Sequence, residues 1–418
     1  MKNSHASILG IAISFASVSL GGPYSIGIPD AGWKHSTLKA CWQSDRSQAS
    51  REIGQWADGN HYADLPSASY RASFQSWINS TYTQKRVGVS FEGFEECPND
   101  EKLLSEYTVY FVNDIKLMSG FAKFLGGGGG KVALGISSIG DPNSYLGPHQ
   151  VSGFFKKPGA HFVTYQHKVI PYKAGAGFDT TDSDKIVDDY FSRVASGIEY
   201  IMGLDPLNTS PTPIQLTIRK EAALSAALQK PDTQKFTALH ELGHLVGLVH
   251  EDRRKDAAKS RPDFCVEVAG DANDEGDGVF KLSESKFGTE YDPYSIMSYC
   301  RETMHRLFRQ AQLVCKLAPI IKVAPKNAAL AAAADTIKSN IQDLTKNCKE
   351  IEKLTFPVDL TPRDVSALRQ MYLKEGAPTG VASNFKKSQA EIRLMEILEE
   401  AAHLPFLPQL VKDPNSNE

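Results

Sequence analysis

The stretch His240-Glu241-Leu242-Gly243-His244-Leu245-Val246-Gly247-Leu248-Val249-His250 constrains this chain more than any other. Two histidines four apart on a helix stand about 40° apart around its axis and one turn apart along it. Both imidazoles can then reach one metal ion at about 2.0–2.1 Å. The third histidine cannot join them if the helix continues, because it would stand about 15 Å further along the axis than His240. The chain must turn first. Gly247 sits where that turn is needed, since glycine enters the left-handed region without a Cβ clash. Three neutral imidazoles leave a zinc ion one open position for water. Glu241 follows the first ligand and is placed to act as general base on that water. The full pattern is far more selective than two histidines and a glutamate alone. Leu239, Leu242, Val246 and Val249 give the same helix a buried stripe, so it is structural as well.

The N-terminus points to export. A short, mildly basic start, Met1 to His5, precedes an apolar run from Ala6 to Leu20 and then Gly21-Gly22-Pro23. That order fits a signal peptide over residues 1–21. The run is short for a bilayer span, and no later segment reaches about 18 uncharged apolar residues. Six cysteines follow, an even count that suits disulfides in an oxidising compartment, and no CxxC occurs among them. Six cysteines allow 15 pairings. The net charge of -3 gives no footprint for nucleic acid or for an anionic membrane. Asn79-Ser80-Thr81 and Asn208-Thr209-Ser210 are glycosylation sequons.

Along the chain, Tyr70, Phe74, Trp77 and Ile78 recur at helical steps and predict a helix over 67–82. Residues 87–91, 107–112, 131–136 and 161–165 read as strands. The glycines from Gly126 to Gly130 precede Lys131 but lack the Ser or Thr of a phosphate loop, so they read as a turn. Helices are expected over 182–203 and 219–229. Residues 301–352 are helical in composition, with an alanine-rich stretch from Ala328 to Ala334. Thr361-Pro362-Arg363-Asp364 opens another helix, with Thr as cap, Pro at the first position and an acid three after the cap. Val365, Leu368 and Tyr372 give it a buried stripe. A last helix is expected near 386–402. His149, His161 and His167 read as structural or solvated rather than as ligands.

Ser295-Ile296-Met297-Ser298-Tyr299, downstream of the histidines, resembles the Met-turn of the metzincin metallopeptidases, in which a methionine lies beneath the metal. His250-Glu251 with Arg254 and Asp256 is similar to the corresponding stretch of astacins. The resemblance implies that Tyr299 is a further zinc ligand or a stabiliser of the oxyanion. The 67–97 region looks like the first helix and strand of such domains, and the segment from Leu360 to Tyr372 is similar to the last helix of matrix metalloproteinases. The likeness runs over about 38–376. Residues 171–235 are longer than a compact metzincin needs, and 301–359 are inserted. Neither a cysteine-switch nor an aspartate-switch motif occurs, and Asp30 is a poor substitute.

The resemblance implies an α+β fold: a mixed twisted sheet above the active-site helix, plus a helical insertion. Strand 131–138 becomes the candidate edge for pairing with an extended substrate. The expected layout is a signal peptide at 1–21, an N-terminal segment or short propeptide at 22–37, a catalytic domain at 38–376 with insertion 301–359, and a tail with one helix at 377–418. In that layout Cys41 pairs with Cys97, Cys265 with Cys300, and Cys315 with Cys348. The expected function is that of a secreted (extracellular or periplasmic) endopeptidase hydrolysing internal peptide bonds. One Zn2+ per chain sits on His240, His244 and His250, with Glu241 and Tyr299 as catalytic residues. Its partners are protein or peptide substrates, with no nucleic acid and no stable membrane anchor. The alternative is a catalytically restricted zinc-binding adhesin, or a toxin acting on one specific partner protein.

Overall fold

The computed structural model describes residues 33, 36–44, 65–104, 106–113, 135–137, 160–164, 183–248, 251, 262–265, 291–321, 345–356, 358–373 and 389–402. The expected signal peptide and N-terminal segment apart from Trp33 and 36–37, the Gly126–Gly130 turn, His149, His167, His250, Arg254, Asp256 and the Ala328–Ala334 stretch lie outside these residues. The chain divides into two compact units. Unit 1 comprises residues 1–182, 234–301 and 358–385; unit 2 comprises 183–233, 302–357 and 386–418.

Unit 1 contains a five-stranded sheet. Its strands are β1 (Thr37–Trp42), β2 (Ser90–Glu96), β3 (Val109–Asn113), β4 (Gly135–Ser137) and β5 (Ala160–Thr164), in the order β2-β1-β3-β5-β4. β1 pairs in parallel with β2 and β3, and β3 in parallel with β5. β4 closes one edge antiparallel to β5. The sheet is therefore mixed, as expected, and Gly135–Ser137, the described part of the expected edge strand 131–138, lie at an edge.

The connection from β1 to β2 carries helix α1 (Ala68–Ile78), continued by a wider turn over Asn79–Thr83. Ser67 caps α1 by accepting the Tyr70 amide. Tyr70, Phe74 and Ile78 are buried, as their spacing predicts. Phe74 meets Trp42 of β1 edge to face at 5.1 Å and Phe111 of β3 at 5.0 Å, so one aromatic cluster joins helix and sheet. The strand expected from Val87 begins only at Ser90. Backbone φ is +52° at Arg86 and +89° at Gly88, so the chain is still turning where the alternation suggested extension. In β2 the register slips between Ala40 and Trp42 of its partner, a bulge that includes Phe94 at φ +74°. Cys41 and Cys97 are bonded, stapling β1 to the end of β2, and the short helix α2 (Glu101–Leu104) follows.

Unit 2 is helical. It holds α3 (Ser183–Ile201), the first part of α4 (Pro213–Leu245), most of α5 (Tyr299–Ile321), the short α6 (Cys348–Ile351) and α8 (Gln389–Ala402). The expected helix over 219–229 and the helix bearing the histidines are one 33-residue helix. Pro231 inside it removes one backbone donor but keeps a helical φ, so α4 continues past a residue that reads as a stop. The buried Glu199 carboxylate is held by the Arg219 guanidinium at 2.7 and 3.0 Å. His305 stacks on Phe356 at 5.2 Å, and Asp232 accepts from Arg309 at 2.6 Å. Cys315 is bonded to Cys348, and Arg393 of α8 reaches Asn347 and Glu350. No helix among the described residues is long and apolar enough to cross a membrane.

Candidate metal centre

The expected site residues fall in the sequence range of unit 1. The end of α4 is built as the glycine spacing requires. Gly247 has φ +96°. The Leu248 amide donates to the Gly243 carbonyl at 2.8 Å and the Gly247 amide to the His244 carbonyl at 2.7 Å, the paired bonds of a Schellman end. Two carbonyls of this last turn remain, those of Leu245 and Val246. The indole of Trp33 donates to Leu245 at 2.8 Å, and the hydroxyl of Tyr372 donates to Val246 at 2.9 Å. Tyr372 belongs to helix α7 (Pro362–Leu373). All four terminal carbonyls thus have partners, and the turn that follows His244 is fixed from several sides.

His240 and His244 are both buried, with ring centroids 5.0 Å apart and planes 89° apart. His240 Nδ1 lies 2.7 Å from the Ile296 carbonyl, and His244 Nδ1 lies 2.8 Å from the Leu248 carbonyl. A carbonyl can only accept, so each Nδ1 is the protonated nitrogen and each Nε2 carries the lone pair. That is the tautomer a metal requires, with the outer nitrogen oriented by a backbone acceptor. Burial pulls the His240 pKa down to about 4, against a smaller opposing effect of the Ile296 bond, which keeps the ring neutral at ordinary pH. Glu241 follows on the helix and is half-buried.

The Met-turn expectation also has a structural counterpart. Ser295, Ile296 and Met297 are fully buried beside α4. A Cβ on Gly243 would overlap Met297 Sδ, so the glycine between the two histidines is what lets the methionine approach the helix. The Glu251 amide donates to the Met297 carbonyl at 3.1 Å, and its carboxylate accepts the Asp292 amide at 3.2 Å. The residue after His250 is therefore bonded to the Met-turn. Tyr299 opens α5, and the disulfide Cys265–Cys300 anchors its neighbour. All three expected cysteine pairs are the pairs formed. His161 lies in β5, opposite Tyr110.

Sequence reasoning passed over Gly243, Trp33 and the second role of Tyr372. Gly243 is a glycine in mid-helix, which is itself a signal of close packing. Nothing in the sequence ties Trp33 or Tyr372 to the end of α4. Among the described residues no three metal-ligating side chains converge; His250 lies outside them. The donor set nonetheless fits zinc: two neutral, buried imidazoles four apart, both held through Nδ1.

Comparison with known families agrees. Residues 221–340 match the family Astacin (Peptidase family M12A), a span that includes the histidine motif and the Met-turn and runs on into the segment after Tyr299. The matched segment, a little under a third of the chain, is similar to astacins and supports reading the chain as a zinc metallopeptidase. No curated protein and no solved structure matches it.

Proposed function

We propose that the chain is a secreted endopeptidase that hydrolyses internal bonds of proteins. One zinc ion is held by His240, His244 and His250, with Glu241 as general base and Tyr299 assisting. The observation that carries the reading is the pair of buried imidazoles whose Nδ1 atoms each donate to a carbonyl. Zinc, when bound, supplies Lewis acidity toward water and the scissile carbonyl. Glu241 takes a proton from the attacking water and delivers it to the departing amine. Tyr299, two residues after Met297 in the motif, donates a hydrogen bond to the oxyanion; its motif position supports this role. Export is supported by the order of residues 1–21 and by three disulfides. The catalytic domain is taken as 38–376 with 301–359 inserted, and 377–418 as a tail.

The test is cleavage of a peptide library by purified protein with and without chelator, beside metal analysis. One zinc per chain and loss of activity with chelator are expected. Glu241→Gln keeps zinc and loses about 100-fold or more in turnover. Active protein without zinc, or near-normal turnover in that variant, refutes the assignment. Cleavage of one protein only would favour the specific toxin.

A further inference from the structure

The carboxylate of Asp364 gathers three donors while itself buried. Oδ1 accepts the Ser295 hydroxyl at 2.5 Å, and Oδ2 accepts the amides of Ile296 at 3.1 Å and Thr361 at 2.9 Å. The Thr361 hydroxyl in turn accepts the Asp364 amide at 3.2 Å, which completes a reciprocal cap at the start of α7. That cap needs only the Thr361 bonds. The other two run to the Met-turn.

Their effect can be followed atom by atom. The hydroxyl that donates to Asp364 also accepts the Met297 amide at 3.0 Å. The Met297 N–H and the Ile296 carbonyl belong to one rigid peptide plane. On its other side that plane offers its carbonyl to His240 Nδ1 at 2.7 Å. The sequence of donors is thus His240 to Ile296, Met297 to Ser295, and Ser295 to Asp364, every bond polarised in the same direction and ending on a carboxylate. Asp364 Oδ2 pins the preceding peptide plane through the Ile296 amide, so the carbonyl that meets His240 is fixed from both neighbours.

We propose that Asp364 and Ser295 are positioning residues for the metal centre, holding the His240 imidazole through the Ile296–Met297 peptide. The inference rests on the reading of His240 as a zinc ligand. The relay fixes the tautomer and direction of the ring and makes its outer nitrogen a better donor. A carboxylate that served only as a helix cap would have no such effect.

The experiment compares Ser295→Ala, Asp364→Asn and the control Thr361→Ala in the full chain. Zinc affinity is read by competition with a chromophoric chelator, and cobalt-substituted protein by its visible spectrum. Ser295→Ala and Asp364→Asn are expected to bind zinc about 10–100-fold more weakly. Their cobalt bands shift, and at saturating zinc kcat falls while KM holds. Thr361→Ala, which removes the hydroxyl's bonds to the Asp364 amide and to Asp292 but leaves every bond of the relay, lowers the melting temperature and leaves zinc affinity within about twofold. If Asp364→Asn fails to fold, Ser295→Ala decides alone, because it leaves both cap bonds in place. Unchanged zinc affinity in Ser295→Ala, or equal weakening in Thr361→Ala, overturns the proposal. A wild-type chain that binds no zinc overturns the parent reading along with it.

Discussion

Gly243→Ala sets two effects against each other at the centre of the site. Alanine is the better helix former by about 1 kcal/mol, so an unconstrained helix would gain. Here the added Cβ would overlap Met297 Sδ and stand 3.5 Å from Met297 Cε and 3.7 Å from Leu248 Cδ1. Met297 is completely buried, so its sulfur must move into packed surroundings. Overpacking of this kind costs about 1–3 kcal/mol, which offsets the propensity gain of about 1 kcal/mol and leaves a net loss of up to about 2 kcal/mol. A double-mutant cycle isolates the cause. Met297→Ala alone opens a cavity and costs about 2–5 kcal/mol. With Gly243→Ala present, the new methyl occupies part of that space, and truncating Met297 costs at least about 1 kcal/mol less. Urea unfolding of the four proteins at one pH, with equal slopes, measures this. Additivity within about 0.5 kcal/mol would refute the claim that the glycine exists to admit the methionine.

Further outcomes follow from the same contacts. Trp33→Phe and Tyr372→Phe each strand a carbonyl at the end of α4 and are expected to cost about 1–3 kcal/mol in denaturant unfolding; a combined loss below about 0.5 kcal/mol would show that water replaces both. Replacing Cys315 and Cys348 with serine removes a closure spanning 33 residues and lowers stability by about 4 kcal/mol, read by calorimetry under oxidising conditions. In zinc-free protein, His240 has a folded pKa of about 4 against 6.5 unfolded. The unfolded state therefore binds the proton more readily. The stability that the neutral ring contributes is whole above pH 6.5, declines as the pH falls from there toward 4, and amounts to on the order of 3 kcal/mol. His240→Gln flattens that stretch of the melting profile; an unchanged slope contradicts the assignment.

What the sequence disclosed, and what it hid, divides along the range of the interactions. The histidine helix, its glycine turn and the Thr361–Asp364 cap are local, and each carries its own spacing. The buried face of α1 was legible for the same reason. The start of β2 was misjudged because Val87 and Val89 alternate like a strand while Gly88 turns. Pro231 concealed the continuity of α4, since tertiary packing outweighs the loss of one hydrogen bond. The roles of Gly243 and Asp364 depend on a turn more than 50 residues from one and nearly 70 residues from the other, as Gly243 meets Met297 and Asp364 meets Ser295. No periodicity records such contacts.

The partners of the last turn of α4 also impose an order in time. Trp33 stands 212 residues before the carbonyl it caps, and Tyr372 stands 126 residues after its own. A chain synthesised from its N-terminus holds the tryptophan ready while α4 is being made, but the tyrosine arrives much later. Until residue 372 has left the ribosome, the turn beyond His244 lacks one of its two side-chain anchors. Fixing of the turn that follows His244 is thereby deferred until α7 has been made.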